Sequence, residues 1–209
     1  MPILTNDLTE KIVEDEQRYF QMINSGELVP DGVFAYYMAI PYKVYLGVDR
    51  HIGNSLSTCR LMVLVKGEDV VYSCYYKVAE NEYFGRRVVQ VEVRQSPDLP
   101  GLARSVMRHY WLRNFDAIRT DLSGTNSGQT MWKQFFAHYK KELHFYKGLV
   151  NIDLRLSNGS DNQDPACPER VTHLKTMRSI NYFDGMWHSN KDGNVSVIYA
   201  SNKPLRTDQ

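Results

Sequence analysis

The run from Val88 to Arg94 alternates residue by residue. Val89, Val91 and Val93 fall on one side, and Val88, Gln90, Glu92 and Arg94 on the other. That is the period of a strand with one buried face. Upstream, Cys59–Val65 and Val70–Val78 are apolar, β-branched and aromatic runs joined by Lys66-Gly67-Glu68-Asp69, a hairpin signal. Ala79–Arg86 reads as a second turn, so three strands form an antiparallel meander. Downstream the period changes. Gly101–Arg113 carries a double apolar column at 102/103, 106/107 and 110/111, which predicts a helix. Asp116–Leu122 is a short strand. Reaching it through a helix predicts a crossover to a parallel neighbour. Ser127–Tyr139 is a second helix.

The ends are read the same way. Leu8, Ile12, Tyr19/Phe20 and Ile23 recur at helical spacing, so Asp7–Ser25 is expected to be helical, capped by Thr5 or Asn6 and stopped by Gly26. Val33–Ile40 reads as a strand ended by Pro41, followed by a loop holding His51, Gly53 and Asn54. Leu143–Phe145 and Leu149–Leu156 are late strands, and Ser157–Pro168 is a turn-rich loop. Val171–Ser179 is expected to be a short helix, and Val195–Ala200 a last strand. No repeat is present. The pattern is mixed α/β: a meander, then strand–helix–strand–helix–strand.

Composition narrows the classes. The 209 residues are 43% hydrophobic and 23% charged, enough for one domain with a real core. The net charge of +1 gives no global field toward nucleic acid or an anionic membrane. Cys59, Cys74 and Cys167 include no CxxC pair, which argues against a disulfide framework and a zinc site. His51, His109, His138, His144, His173 and His188 show no ligand spacing, so no metal is expected. No apolar run approaches the ~20 residues of a membrane span. The opening MPILTNDLTEKIVEDEQ is acidic, unlike a signal peptide, and a cytoplasmic setting is expected.

The chemistry concentrates between the strand and the first helix. In Asp98-Leu99-Pro100-Gly101-Leu102-Ala103, Gly101 and Ala103 let a backbone or ligand approach the first helical turn. The N–H groups of that turn suit an anion. The same residues also serve as an ordinary helix start, with Asp98 as cap. Glu92, near the strand end, suits a general base if it faces a cleft. It equally suits a surface carboxylate paired with Arg86, Arg87 or Arg94.

This order of elements, with Gly101 and Ala103 after the strand, resembles the GNAT superfamily of acyl-CoA N-acyltransferases. The likeness covers roughly residues 59 to 146 and is clearest over 88 to 136. The family carries Arg/Gln-x-x-Gly-x-Gly/Ala here; Asp98 stands at the Arg/Gln position, and Pro100 removes one N–H. The segment Thr125–Trp132 is similar to the family's Asn-x-x-Ala-x-x-Leu-Tyr, with Gly128, Met131 and Trp132 on the last three marked positions. Trp132 cannot act as the acid that the family Tyr supplies; Ser127, Tyr139 or water could replace it.

The resemblance implies a splayed, mixed, mostly antiparallel sheet flanked by helices. Residues 1–157 would form the domain, with an N-terminal helix, and 158–209 a C-terminal extension packed on it. It implies acyl transfer, acetyl above all, from acetyl-CoA or another acyl-CoA to an amine on a small molecule or protein. Val93, Arg94 and Gln95 would receive the pantetheine, Gly101, Leu102, Ala103 and Arg104 the pyrophosphate, and Glu92 would deprotonate the amine. Three alternatives stay open: a GNAT fold with a degenerate cofactor site acting as a binding or inhibitory module, a structural component, and a nucleic-acid-modifying enzyme of the kind some bacteriophages encode. Nucleic acid is not the favoured partner, and a homodimer is allowed.

Overall fold

A computed structural model describes residues 16–47, 50–51, 58–120, 126–151, 171–184 and 194–205. Its strands are β1 (Leu28–Phe34), β2 (Tyr42–Gly47), β3 (Arg50–His51), β4 (Thr58–Lys66), β5 (Asp69–Asn81), β6 (Gly85–Gln95), β7 (Ala117–Arg119), β8 (His144–Asn151), β9 (Val171–Thr176) and β10 (Asn194–Ser201). Helix α1 covers 16–24. Helix α2 is built from Leu102–Val106, a π-helical turn Met107–Trp111, and Leu112–Asn114; α3 is Asn126–Tyr139. A 3₁₀ turn spans Ile180–Phe183.

One sheet runs β1-β2-β4-β5-β6-β7-β10-β8-β9, with β3 paired to β4. The pair β6/β7 is parallel, and every other pair is antiparallel. The class is thus α+β with a large, mostly antiparallel sheet. α2 and α3 pack on one face, where Leu102, Val106, Met107, Trp111, Phe135 and Phe136 meet β-strand residues such as Met62, Tyr72, Cys74 and Val88. On the other face, Tyr19 and Met22 of α1 cover Leu61, Val63 and Val65. Farther along that face, Phe84 stacks on Tyr199 beside Tyr146, with Leu205 against them.

Several expectations change. The first strand is Leu28–Phe34, not Val33–Ile40: Met38 and Ala39 have φ of 52° and 54°, a left-handed turn that no strand can contain. β2 was expected to be loop, although Tyr42 and Val44 are buried on either side of exposed Lys43. The late strands are one, β8. Val171–Thr176 is a strand rather than a helix, and a break in its ladder beside Lys147 and Leu149 hides its period. The start of the expected N-terminal helix, residues 121–125, the loop from Ser157, Cys167 and the 157/158 boundary lie outside the described residues.

Two irregularities shape the middle. Tyr75 pairs with Glu92 and Tyr76 with Gln90, so Val91 is an extra residue, a bulge in β6. The bulge puts Val93 on the face of Val88 and Gln90 rather than with Val89, against the simple alternation. In α2 the buried pairs are Leu102/Ala103, Val106/Met107 and then Trp111/Leu112. The π turn inserts one residue and moves the last pair on by one position.

Candidate functional site

β7 pairs with β6 only at Arg87, Val89 and the Val88 between them. From Gln90 to Gln95, beyond the pairing and past the bulge, β6 has β5 on one side and no strand partner on the other among the described residues. The sheet therefore opens between two parallel strands, beside the start of α2. A bulge at such a point increases the twist and turns the strand end away from its neighbour.

The residues of this diverging half fall on two faces. Glu92 lies opposite Tyr75, on the α1 face, while Val93 lies opposite Cys74, on the α2 face. Arg94 holds Glu92 with two nitrogens, Nε at 2.8 Å and a terminal nitrogen at 2.6 Å from the same carboxylate oxygen. Both side chains are about a third to two-fifths exposed, so the pair is screened and its net worth is small. This is the paired surface carboxylate of the simpler reading. A cavity of about 400 Å³ adjoins it at the end of β6, lined by Glu16, Tyr19 and Ser73 on the α1 side and by Arg94, Gln95 and Asp98.

The turn into α2 is tightly made. Gly101 takes φ of 91°, which glycine adopts without a Cβ penalty. No side chain of the turn itself caps the helix. Instead Gln95 Oε1, at the end of β6, accepts the Ala103 N–H at 2.9 Å. The Leu102 N–H donates to Leu99 O at 3.1 Å. Two of the amides expected to meet a pyrophosphate, those of Leu102 and Ala103, thus already have acceptors, and an anion at Ala103 must displace Gln95. Arg104 bends back over the turn: a Cβ built on Gly101 would sit 2.7 Å from its guanidinium. The α2 start therefore combines a helix dipole and a guanidinium, both attractive to a negative charge.

Of the two candidate acids, only Tyr139 stands near this turn. Arg104 and Arg108 act electrostatically on its hydroxyl, but burial, with help from Glu142, outweighs them and raises its pKa. Tyr139 is therefore a protonated phenol at neutral pH. Ser127 is exposed at the far end of α3, about 18 Å along the axis. Trp132 is buried against Phe135, as a core aromatic.

Residues not singled out from the sequence also frame the opening. Gln90 is buried where β6 and β7 part; its Nε2 lies 3.4 Å from the Tyr72 hydroxyl and 3.9 Å from Cys74 Sγ. Gln90 Oε1 and Trp111 Nε1 are buried with no hydrogen-bond partner among the described residues. Burial pushes the Cys74 thiol up to about 12, which makes it a poor nucleophile. The segment after β1 straps across the α2 start. Tyr37 donates to Pro100 O at 2.9 Å, Ser105 donates to Tyr36 O at 3.0 Å, and Tyr36 stacks on His109 at 5.1 Å. Tyr37 and Tyr36 thus border the α2 start.

Among the described residues no group of three His, Cys, Asp or Glu could hold a metal ion, and no helix is long and apolar enough to cross a membrane. Comparisons with family models, curated proteins and solved structures return no match for this chain.

Proposed function

We propose that the chain is an N-acyltransferase of GNAT type that moves an acyl group, acetyl above all, from acyl-CoA to an amine. One observation carries the reading: a bulged β6 that leaves its parallel partner β7 after three pairs, directly before a left-handed Gly101 turn into α2. The splayed sheet expected from the family resemblance needs such a divergence. The pantetheine adds its amides along Val93–Gln95. The phosphates lie at the α2 start, against Arg104 and the Ala103 amide that Gln95 gives up.

The steps follow from the groups present. The acceptor nitrogen attacks the thioester carbonyl carbon, the C–S bond breaks, and the nitrogen's proton goes to Glu92. The departing thiolate takes a proton from Tyr139, which burial keeps protonated. Arg94 occupies one Glu92 carboxylate oxygen with two nitrogens. Arg94 must therefore turn to the phosphates before Glu92 can act, which couples cofactor binding to base activation.

Titration calorimetry with acetyl-CoA, followed by thiol release with a panel of amines, tests this directly. Glu92→Gln should leave acetyl-CoA binding within a few-fold and lower turnover by about 10² or more. No binding at millimolar acetyl-CoA removes the enzyme. The second reading, a GNAT-like fold with a degenerate cofactor site acting as a binding module, then stands. The occupied Leu102 and Ala103 amides and the acid Asp98 favour it.

A further inference from the structure

A second cavity, of about 430 Å³, lies away from the β6/β7 opening, between β8, β9 and the 3₁₀ turn. Lys147 of β8 and Lys175 of β9 sit directly opposite each other in the ladder, and both line it. Like charges in opposed positions repel. No carboxylate is within ion-pair reach of either lysine among the described residues, and no lining residue is acidic. Lys147 Nζ donates to Tyr182 O at 2.8 Å and to Asp184 O at 2.9 Å. Those two bonds fix the ammonium at the cavity wall and leave one of its three N–H groups over. Burial lowers its pKa, and the Asp184 charge only partly opposes this.

The neighbouring residues extend the pattern. Past Lys147 the ladder breaks, and two β9 residues, His173 and Leu174, stand against Gly148. His173 takes φ of 53° there and lines the cavity. Asn181 adds an amide, and Leu149 and Tyr182 supply an apolar wall. The volume is in the range that small molecules occupy. We propose that this cavity binds a small organic anion: a phosphate or carboxylate between Lys147 and Lys175, carried on an apolar or aromatic body that lies along Leu149 and Tyr182. A bound anion turns the repulsive lysine pair into a two-point clamp.

The test uses the full chain, with phenyl phosphate and benzoate as probes in separate calorimetric titrations at fixed ionic strength. At least one should bind at millimolar concentration or tighter, and the preferred probe identifies the head group. Phenol should not bind. Lys175→Met, on an exposed edge position and relieved of its like-charged neighbour, should fold normally and weaken the preferred probe about tenfold. Arg104→Ala should bind that probe as the parent does. Absence of binding by both probes overturns the proposal. So does equal affinity in Lys175→Met, or a loss confined to Arg104→Ala, which would place the anion at the α2 start instead.

Discussion

His109 shows how one side chain reads its surroundings. Burial depresses its pKa, Arg108 adds to the effect, and Glu142 opposes it. A depressed histidine binds its proton less well folded than unfolded. Stability is therefore full above the unfolded value near 6.5 and is lost as pH falls through that value toward the folded pKa. His109→Gln, which keeps a flat polar group against Tyr36, should flatten that part of the curve. The measurement is the urea midpoint of parent and variant from pH 7.5 to 5. Parallel curves would mean that His109 titrates as in the unfolded chain. Gln90 makes the opposite argument. Its amide oxygen is buried without a partner and its two contacts are long. Such a group costs about 1–3 kcal/mol relative to an apolar one of the same shape. Gln90→Met should raise stability by about 1 kcal/mol, and under the acyltransferase reading it should also weaken acetyl-CoA binding, because this amide sits where β6 and β7 part. A variant less stable than the parent would show that Gln90 is satisfied in solution.

Elements repeat the lesson at longer range. Gly148 lies between β8 and β9, and a Cβ there would meet Val171 Cγ1 at 2.6 Å and Leu174 Cδ1 at 3.2 Å. Gly148→Ala should cost about 1–3 kcal/mol by overpacking. The loss should appear first as faster amide exchange in β9, which among the described residues is an edge strand paired only to β8. Uniform exchange changes across the sheet would contradict a local wedge. The strands β4, β5 and β6, the crossover through α2, and α3 were legible in the sequence because their periods are local. What escaped was set by partners distant in the chain. The Val91 bulge exists only relative to Tyr75 and Tyr76, and it parts Val93 from Val89, with which it was expected to share a face. The α2 cap comes from Gln95, eight residues before Ala103, rather than from Asp98. β9 looked helical because its ladder breaks at His173 and hides the alternation. At the site, Glu92 and Gly101 could be picked out by residue type. Their environment, a clamped carboxylate and occupied amides, could not.

For the molecule as a whole, the narrowest point is β7. Three residues pair with β6 on one side and three with β10 on the other, and they join the meander β1–β6 to the β10-β8-β9 half. Side chains reinforce so short a seam. Asp116 accepts the Arg86 N–H at 3.0 Å, and Ser201 donates to Asp116 O at 2.9 Å. Thr120, fully buried, continues the ladder past the strand end: its N–H donates to Ile198 O, and its Oγ1 accepts the Ile198 N–H, both at 3.0 Å. Thr120→Val keeps the shape and removes that acceptor, which leaves the Ile198 N–H buried without one. The cost should be about 1–3 kcal/mol. It should appear as a lower urea midpoint with an unchanged slope if both halves unfold together. A shallower slope or a second transition would mean that the seam lets the halves unfold separately. Under the acyltransferase reading, acyl-CoA would lie along the half of β6 that has no second strand partner among the described residues, so saturating acetyl-CoA should raise the midpoints of both parent and Thr120→Val. Midpoints that do not move with acetyl-CoA in either protein would overturn the cofactor site.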